Sequence, residues 1–300
     1  MYLLRIEAIE NKKKSNSLII AIIISILLLL ILCIILGMQK YLEYKYINSL
    51  KFQTEKAIAE INRINEEKLA KELEEKRKTP ILTENGLNAV KNIFLDKGEK
   101  EIYLTFDDGP STAVTPLILD TLKLNNIKAT FFVLGSRAEL NPELIKRAYD
   151  EGHYIANHGY SHVYKNIYSS KEEVLNEYNK TEQAIKTALG KENYNSHLFR
   201  FPGGSTGGKY HNLKTEAISM LEQNNIATLD WNCLSNDSAG ATTKEEILTA
   251  ISETSNNKNS IVLLMHDAGD KILTYETLQD VINYFRQRGY IFKDMYDIIK

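Results

Sequence analysis

The stretch EIYLTFDDGPS, residues 101–111, is a short apolar run that ends in two aspartates, a glycine and a proline. Its first six residues read as a buried strand, because β-branched and aromatic side chains fit a pleated surface, and Gly-Pro marks a turn. Asp107 and Asp108 thus stand where a strand stops, with like charges on adjacent residues. Such a pair is costly unless a positive charge lies between the two or their duties differ. Strand-like runs recur down the chain: ATFFVL (129–134), HYIAN (153–157), HLFRF (197–201), IATLDW (226–231), SIVLLM (260–265) and YIF (290–292). Between them lie helical patterns at 116–126, 142–152, 171–190, 211–225, 243–254 and 275–289. Strict alternation of strand and helix predicts parallel pairing, since parallel strands need crossover connections. About seven such units suit an α/β fold built as a closed or nearly closed barrel rather than an open doubly wound sheet.

The polar residues fall just past the C-terminal ends of these strands, where a parallel barrel gathers them on one rim. Asp107 and Asp108 follow the first strand, His158 and His162 the third in NHGYSH, and Arg200 the fourth in FRFPGG. Asp230, Trp231 and Asp237 end or follow the fifth, and His266 and Asp267 end the sixth in LLMHD. His158 and His162 are four apart, a spacing that on a helical turn aims both imidazoles the same way; two histidines and a carboxylate make a common divalent-metal site. Of the remaining histidines, His153 reads as structural, and His197 and His211 as surface or packing residues. The glycine-rich FPGGSTGGK (201–209) has neither the G-x-G-x-x-G nor the G-x-x-x-x-G-K-[ST] spacing.

The N-terminal part reads differently. Residues 18–38, LIIAIIISILLLLILCIILGM, carry no charge, and about twenty apolar residues span the hydrocarbon core as a helix. The run is longer than a signal-peptide core and lacks a convincing cleavage site, so it is an uncleaved anchor. Lys12, Lys13 and Lys14 precede it, which places residues 1–17 in the cytoplasm and the rest outside the cell membrane. Residues 39–80 are rich in Lys, Glu, Ala and Ile, a composition for a long exposed helix. Ile58, Ile61, Ile64, Leu69 and Leu73 form a rough apolar stripe without a sustained heptad, so this stalk is a solvated spacer or a dimerising coiled coil. Thr79-Pro80 marks the boundary of the main domain, 81–300. A net charge of −2 and a pI near 6.3 argue against a nucleic-acid partner. Cys33 lies in the anchor, which leaves Cys233 as a free thiol of the main domain, read as an inert core residue.

TFDDGPS, NHGYSH, RFPGG, DWNCLSND and LLMHD, in this order at successive strand ends, give residues 99–300 a resemblance to the polysaccharide deacetylase family, carbohydrate esterase family four. That resemblance implies a distorted (β/α) barrel and metal-dependent removal of N-acetyl groups from a glycan, with peptidoglycan the usual substrate of anchored members. Carried over by position, Asp107 is the general base and Asp108 ligates one divalent ion, zinc first, with His158 and His162. Cobalt, nickel, manganese and iron are alternatives. Arg200 pairs with the base, the backbone at Pro202-Gly203 meets the developing oxyanion, and His266 is the general acid. Leu264 lines the acetyl pocket, Trp231 belongs to the substrate surface, and Asp267 caps its loop. The family's third motif commonly reads Arg-x-Pro-Tyr, and here Gly203 replaces the aromatic. At the fourth, Asp237 is followed by Ser238 rather than tryptophan; Asp237 is the expected partner of His266, with Asp230 the alternative. In the second, Gly159 replaces a Ser or Thr. Other readings are deacetylation of a secreted N-acetylglucosamine polymer, de-esterification of an acetylated glycan, and a membrane-tethered glycan-binding module without catalysis.

Overall fold

The computed structural model describes residues 2–76 and 80–299. The chain divides into two compact units, Met1–Lys71 and Glu72–Lys300. The expected boundary residue Thr79 falls outside the described residues.

The described residues of the first unit all lie in α1 (Tyr2–Lys76). Its aliphatic belt is exposed on every side, with Leu28 at 61% and Ile34 at 66%. A belt of this size does not face water in a soluble protein. The 21 uncharged residues from 18 to 38 rise about 30 Å as a helix, enough to cross a membrane. Further along, Arg63 reaches Glu60 and Glu67 at 2.6 and 2.9 Å, while Ile58, Ile61 and Ile64 stay exposed.

In the second unit the order is α2 (Glu84–Lys91), β1 (Glu101–Asp107), α3 (Thr115–Leu124), β2 (Thr130–Val133), α4 (Gly135–Leu140), α5 (Pro142–Asp150), β3 (Tyr154–Asn157), α6 (Tyr164–Ile167) and α7 (Lys171–Leu189). There follow β4 (Leu198–Phe199), α8 (His211–Gln223), β5 (Ala227–Thr228), β6 (Cys233–Leu234), α9 (Lys244–Ser255), β7 (Ser260–His266), α10 (Ile272–Gln287) and β8 (Ile291–Lys293). Local signals set several helix ends. Ser170 caps α7 by accepting from the Glu173 N–H, Gly190 closes α7 in the left-handed region, and Thr243 and Glu246 cap α9 reciprocally.

Seven strands pair in parallel in the order β5-β4-β3-β2-β1-β7-β6, the expected α/β barrel. No pairing joins β5 to β6 among the described residues, so the barrel is a half-open one. Two strands differ from expectation. IATLDW ends as a strand at Thr228, and residues 229–232 carry the chain across the opening: Leu229 N–H still donates to Phe199, but Asn232 N–H donates to Val262 on β7. Cys233–Leu234 then forms a strand of its own beside β7. The last run, YIF, gives β8, which pairs with the start of β1 (Glu101–Tyr103) and does not close the barrel.

The two-residue period of β1 explains the layers. Ile102, Leu104 and Phe106 join the larger core under the helices, with Ile118, Phe131, Ile155, Leu263 and Phe285. Tyr103 points the other way, into an inner core with Phe132, Tyr154, Leu198 and Val262. Leu82, Val90, Met295 and Ile299 belong to that inner core as well. Cys233 is fully buried, and burial pushes its thiol up to about 11, which keeps it in the protonated form.

Candidate active site

Asp107 is the last residue of β1 and lies directly beside His266, the last of β7, in the parallel ladder. On a regular strand the next residue would point away from the cavity. Asp108 instead has φ 72°, in the left-handed region, and this turn brings its carboxylate to the same cavity as that of Asp107. The cavity, about 330 Å³, is lined by Asp107, Asp108, His158, His162, Trp231, Asp237, Leu264 and His266, together with Tyr164 and Gly203.

One potential ligand atom each from Asp108, His158 and His162 lies within 4.8 Å of the others. Asp108 Oδ1 is 3.5 Å from His158 Nε2 and 3.4 Å from His162 Nε2. His158 Nδ1 donates to the Arg200 carbonyl at 2.8 Å, which leaves Nε2 as the lone-pair nitrogen toward Asp108. Burial presses the His158 imidazole down to about 3, so it is neutral. Asp108 Oδ1 is itself buried and has no hydrogen-bond partner among the described residues. A buried carboxylate oxygen facing the lone pair of His158, without a donor of its own, is unfavourable, and a cation among the three ligand atoms removes the conflict. The donor set therefore fits a metal ion.

The two histidines do not share a helical turn, as their spacing predicted. They occupy a loop after β3 in which Gly159 (φ 81°) and His162 (φ 55°) both take left-handed conformations. Glu177 of α7 holds that loop. Its Oε2 accepts the N–H groups of Tyr160 and Ser161, both at 2.7 Å, and its Oε1 accepts the Ser161 hydroxyl at 2.8 Å. Sequence reading missed Glu177, although a charged residue on the buried stripe of Val174, Tyr178, Thr181 and Ile185 was a signal.

Arg200 is fully buried and distributes its donors among four oxygens. Nη1 reaches Asp107 Oδ1 and Thr105 Oγ1, both at 2.8 Å; Nε reaches the Leu229 carbonyl at 2.9 Å, and Nη2 the Asp230 carbonyl at 3.1 Å. Burial raises the proton affinity of Asp107, and the Arg200 charge opposes that rise. Asp237 is the partner of His266: its Oδ1 accepts from His266 Nδ1 at 2.8 Å, and its Oδ2 from the His266 N–H at 2.7 Å. Burial alone would lower the His266 imidazole, but Asp237 outweighs it and raises it to about 9. Asp230 has another task, accepting the Ser205 N–H at 3.0 Å and so fixing the loop after Gly204.

Gly203 is exposed at the cavity wall, whereas Pro202 is buried behind it, its carbonyl accepting the Tyr168 hydroxyl at 2.6 Å. Leu264 lines the cavity from β7. Asp267 is buried, accepts the Thr115 hydroxyl at 2.6 Å and lies against Gly109, a capping position. His153 accepts the Ala129 N–H at 3.1 Å inside the core. His197 and His211 lie away from the cavity, bonded to Asn225 and Gly207.

A sequence profile described as polysaccharide deacetylase matches residues 95–222. The chain is 36% identical over 197 residues to the peptidoglycan-N-acetylglucosamine deacetylase PgdA of Listeria monocytogenes, which covers 65% of this chain and 38% of that one. It thus spans well under half the length of that relative. It is 32% identical over 267 residues to the putative polysaccharide deacetylase YheN of Bacillus subtilis, across 87% of both chains. Among solved structures, a Streptococcus mutans CE4 esterase superposes with a TM-score of 0.62 at 30% identity, over 69% of this chain and 90% of that one. With a relative matched along nearly its full length and the motif residues drawn to one cavity, the chain belongs to the polysaccharide deacetylase family.

Proposed function

We propose that this protein is a metal-dependent deacetylase that hydrolyses N-acetyl groups on N-acetylglucosamine of peptidoglycan. The observation that carries the reading is the buried Oδ1 of Asp108, without a hydrogen-bond partner among the described residues and facing two imidazole nitrogens, with a second carboxylate, Asp107, on the neighbouring residue. The name of the Listeria relative supports the substrate. Asp108, His158 and His162 would hold the ion; two imidazoles and a carboxylate suit zinc, and cobalt, nickel, manganese or iron share the same donor preferences. Bound there, a divalent cation would lower the pKa of a water and polarise the acetyl carbonyl.

The chain's own residues supply the remaining chemistry. Asp107 accepts the proton of the attacking water, a task suited to a carboxylate whose proton affinity burial has raised, and Arg200 fixes its orientation. The Gly203 N–H stabilises charge on the acetyl oxygen as it develops. His266, protonated through neutral pH, gives a proton to the departing nitrogen as the carbon–nitrogen bond breaks, leaving acetate and a free amine. Leu264 receives the acetyl methyl and Trp231 faces the sugar. In this reading α1 anchors the chain in the cell membrane with its N-terminal lysines inside, residues 39–80 act as a spacer, and residues 81–300 work outside.

The test uses the full chain in detergent, stripped by chelation and reloaded with zinc or cobalt, then given peptidoglycan or N-acetylglucosamine oligomers. Metal-dependent acetate with an equal yield of new amines is the expected result. Acetate without amines would make the protein an esterase. Neither product with any metal or glycan would make it a binding module.

A further inference from the structure

Two consecutive glycines of the cavity region, Gly203 (φ 74°) and Gly204 (φ 77°), each have an aromatic ring where a side chain would stand. A Cβ at position 204 would lie 3.0 Å from Trp231 Cη2. One at position 203 would overlap the Tyr164 hydroxyl and stand 3.2 Å from its ring carbon Cζ. Position 203 has no side chain, and a tyrosine from a helix start elsewhere in the chain occupies that space. Tyr164 opens α6 two residues after His162, 41% exposed. Its ring centroid is 5.6 Å from that of His162 and 5.6 Å from that of Tyr168, both in tilted or edge-on contact. Tyr168 is in turn bonded to Pro202, so the two loops are tied together below the ring. The Tyr164 hydroxyl makes no hydrogen bond among the described residues, although the side chain borders the cavity that Asp108 and His158 line.

We propose that Tyr164 is the substrate-positioning residue of the site: with Trp231 it forms a two-sided aromatic seat for the sugar ring that carries the acetamide, and its identity sets which glycan is preferred. The proposal rests on the deacetylase reading. A pyranose ring has apolar C–H faces and a polar hydroxyl edge, and it matches a phenol that is partly exposed at the cavity and carries an unengaged hydroxyl. A tyrosine serving only to pack would bury its ring and satisfy its hydroxyl within the protein. Tyr164 does neither.

Trp231 is the one tryptophan of the chain, so its fluorescence reports glycan entering the seat. The experiment titrates N-acetylglucosamine oligomers into the zinc-loaded full chain in detergent, alongside KM, kcat and metal content. In Tyr164→Ala, KM and the titration midpoint should rise about tenfold, the loss falling on KM rather than kcat, with metal content equal to the unsubstituted chain. Tyr164→Trp should recover most of the affinity, and Tyr164→Phe should fall between. An unchanged midpoint in Tyr164→Ala overturns the proposal. Metal loss in step with activity loss also overturns it, by making Tyr164 a prop for His162. If the unsubstituted chain releases no acetate while the titration still depends on Tyr164, the deacetylase reading fails and the sugar seat stands.

Discussion

At the residue scale, two neighbouring carboxylates reach one cavity only because the backbone turns between them. The left-handed φ of Asp108 is tolerated by Asp and Asn better than by other side chains. Asp108→Asn therefore keeps the turn and removes the charge, which isolates the electrostatic role. It should lose metal, as should His158→Ala, by elemental analysis of the purified chain. Asp107→Asn should keep its metal while acetate release falls roughly 10²–10⁴-fold, the usual contribution of a positioned base. Metal loss in Asp107→Asn alone would reverse the two roles. His266 gives a pH signature. An acid must be protonated, and the Asp237-bonded imidazole stays so until about 9, so kcat should fall as pH rises through that value. Asp237→Asn removes the charge that raises it, and the fall should move to lower pH in a pH–rate profile.

At the scale of elements, the register of β1 on β7 places Asp107 beside His266, and a helix behind the site holds the metal loop. Glu177→Ala should free the Tyr160 and Ser161 N–H groups and weaken metal binding about 10–100-fold, as loss of a ligand's supporting bonds does, measured by competition with a chelator. Gly109→Ala should be worse for folding than for chemistry. Its Cβ would collide with the carboxylate of Asp267, itself fixed by Thr115, and a loss of roughly 1–3 kcal/mol should appear as a lower Tm. These contacts also mark what sequence could reach. Strand ends and motif residues were legible, because hydrophobic period and order along the chain are local properties. The loop conformation of His158 and His162 was not: four-residue spacing has a helical reading, and the Glu177 anchor that selects another conformation lies 15 residues beyond His162. β6 escaped for a similar reason, since two residues between polar neighbours carry no period and pair only because β7 is beside them. Tyr164 could not be seen from its own surroundings, because its place is set by a glycine in a different loop.

For the whole molecule, α1 provides a physical test of location. The full chain should resist carbonate extraction from lipid vesicles, and a charged pair such as Leu28→Lys with Leu32→Lys should release it, because a lysine at a helix centre costs about 2.5–3.5 kcal/mol on insertion scales. The half-open barrel has a further consequence at Arg200. Where β5 and β6 leave their facing edges unpaired, the guanidinium donates to the carbonyls of Leu229 and Asp230, on the very segment that bridges the opening. One side chain thus acts as a suture, standing in for a missing ladder while it also grips the base. Position 200 is not free to be tuned for catalysis alone. A lysine there, with three donors and no planar fork, cannot reach all four oxygens. Arg200→Lys should lower Tm together with turnover, whereas Asp107→Asn should lower turnover without opening that seam.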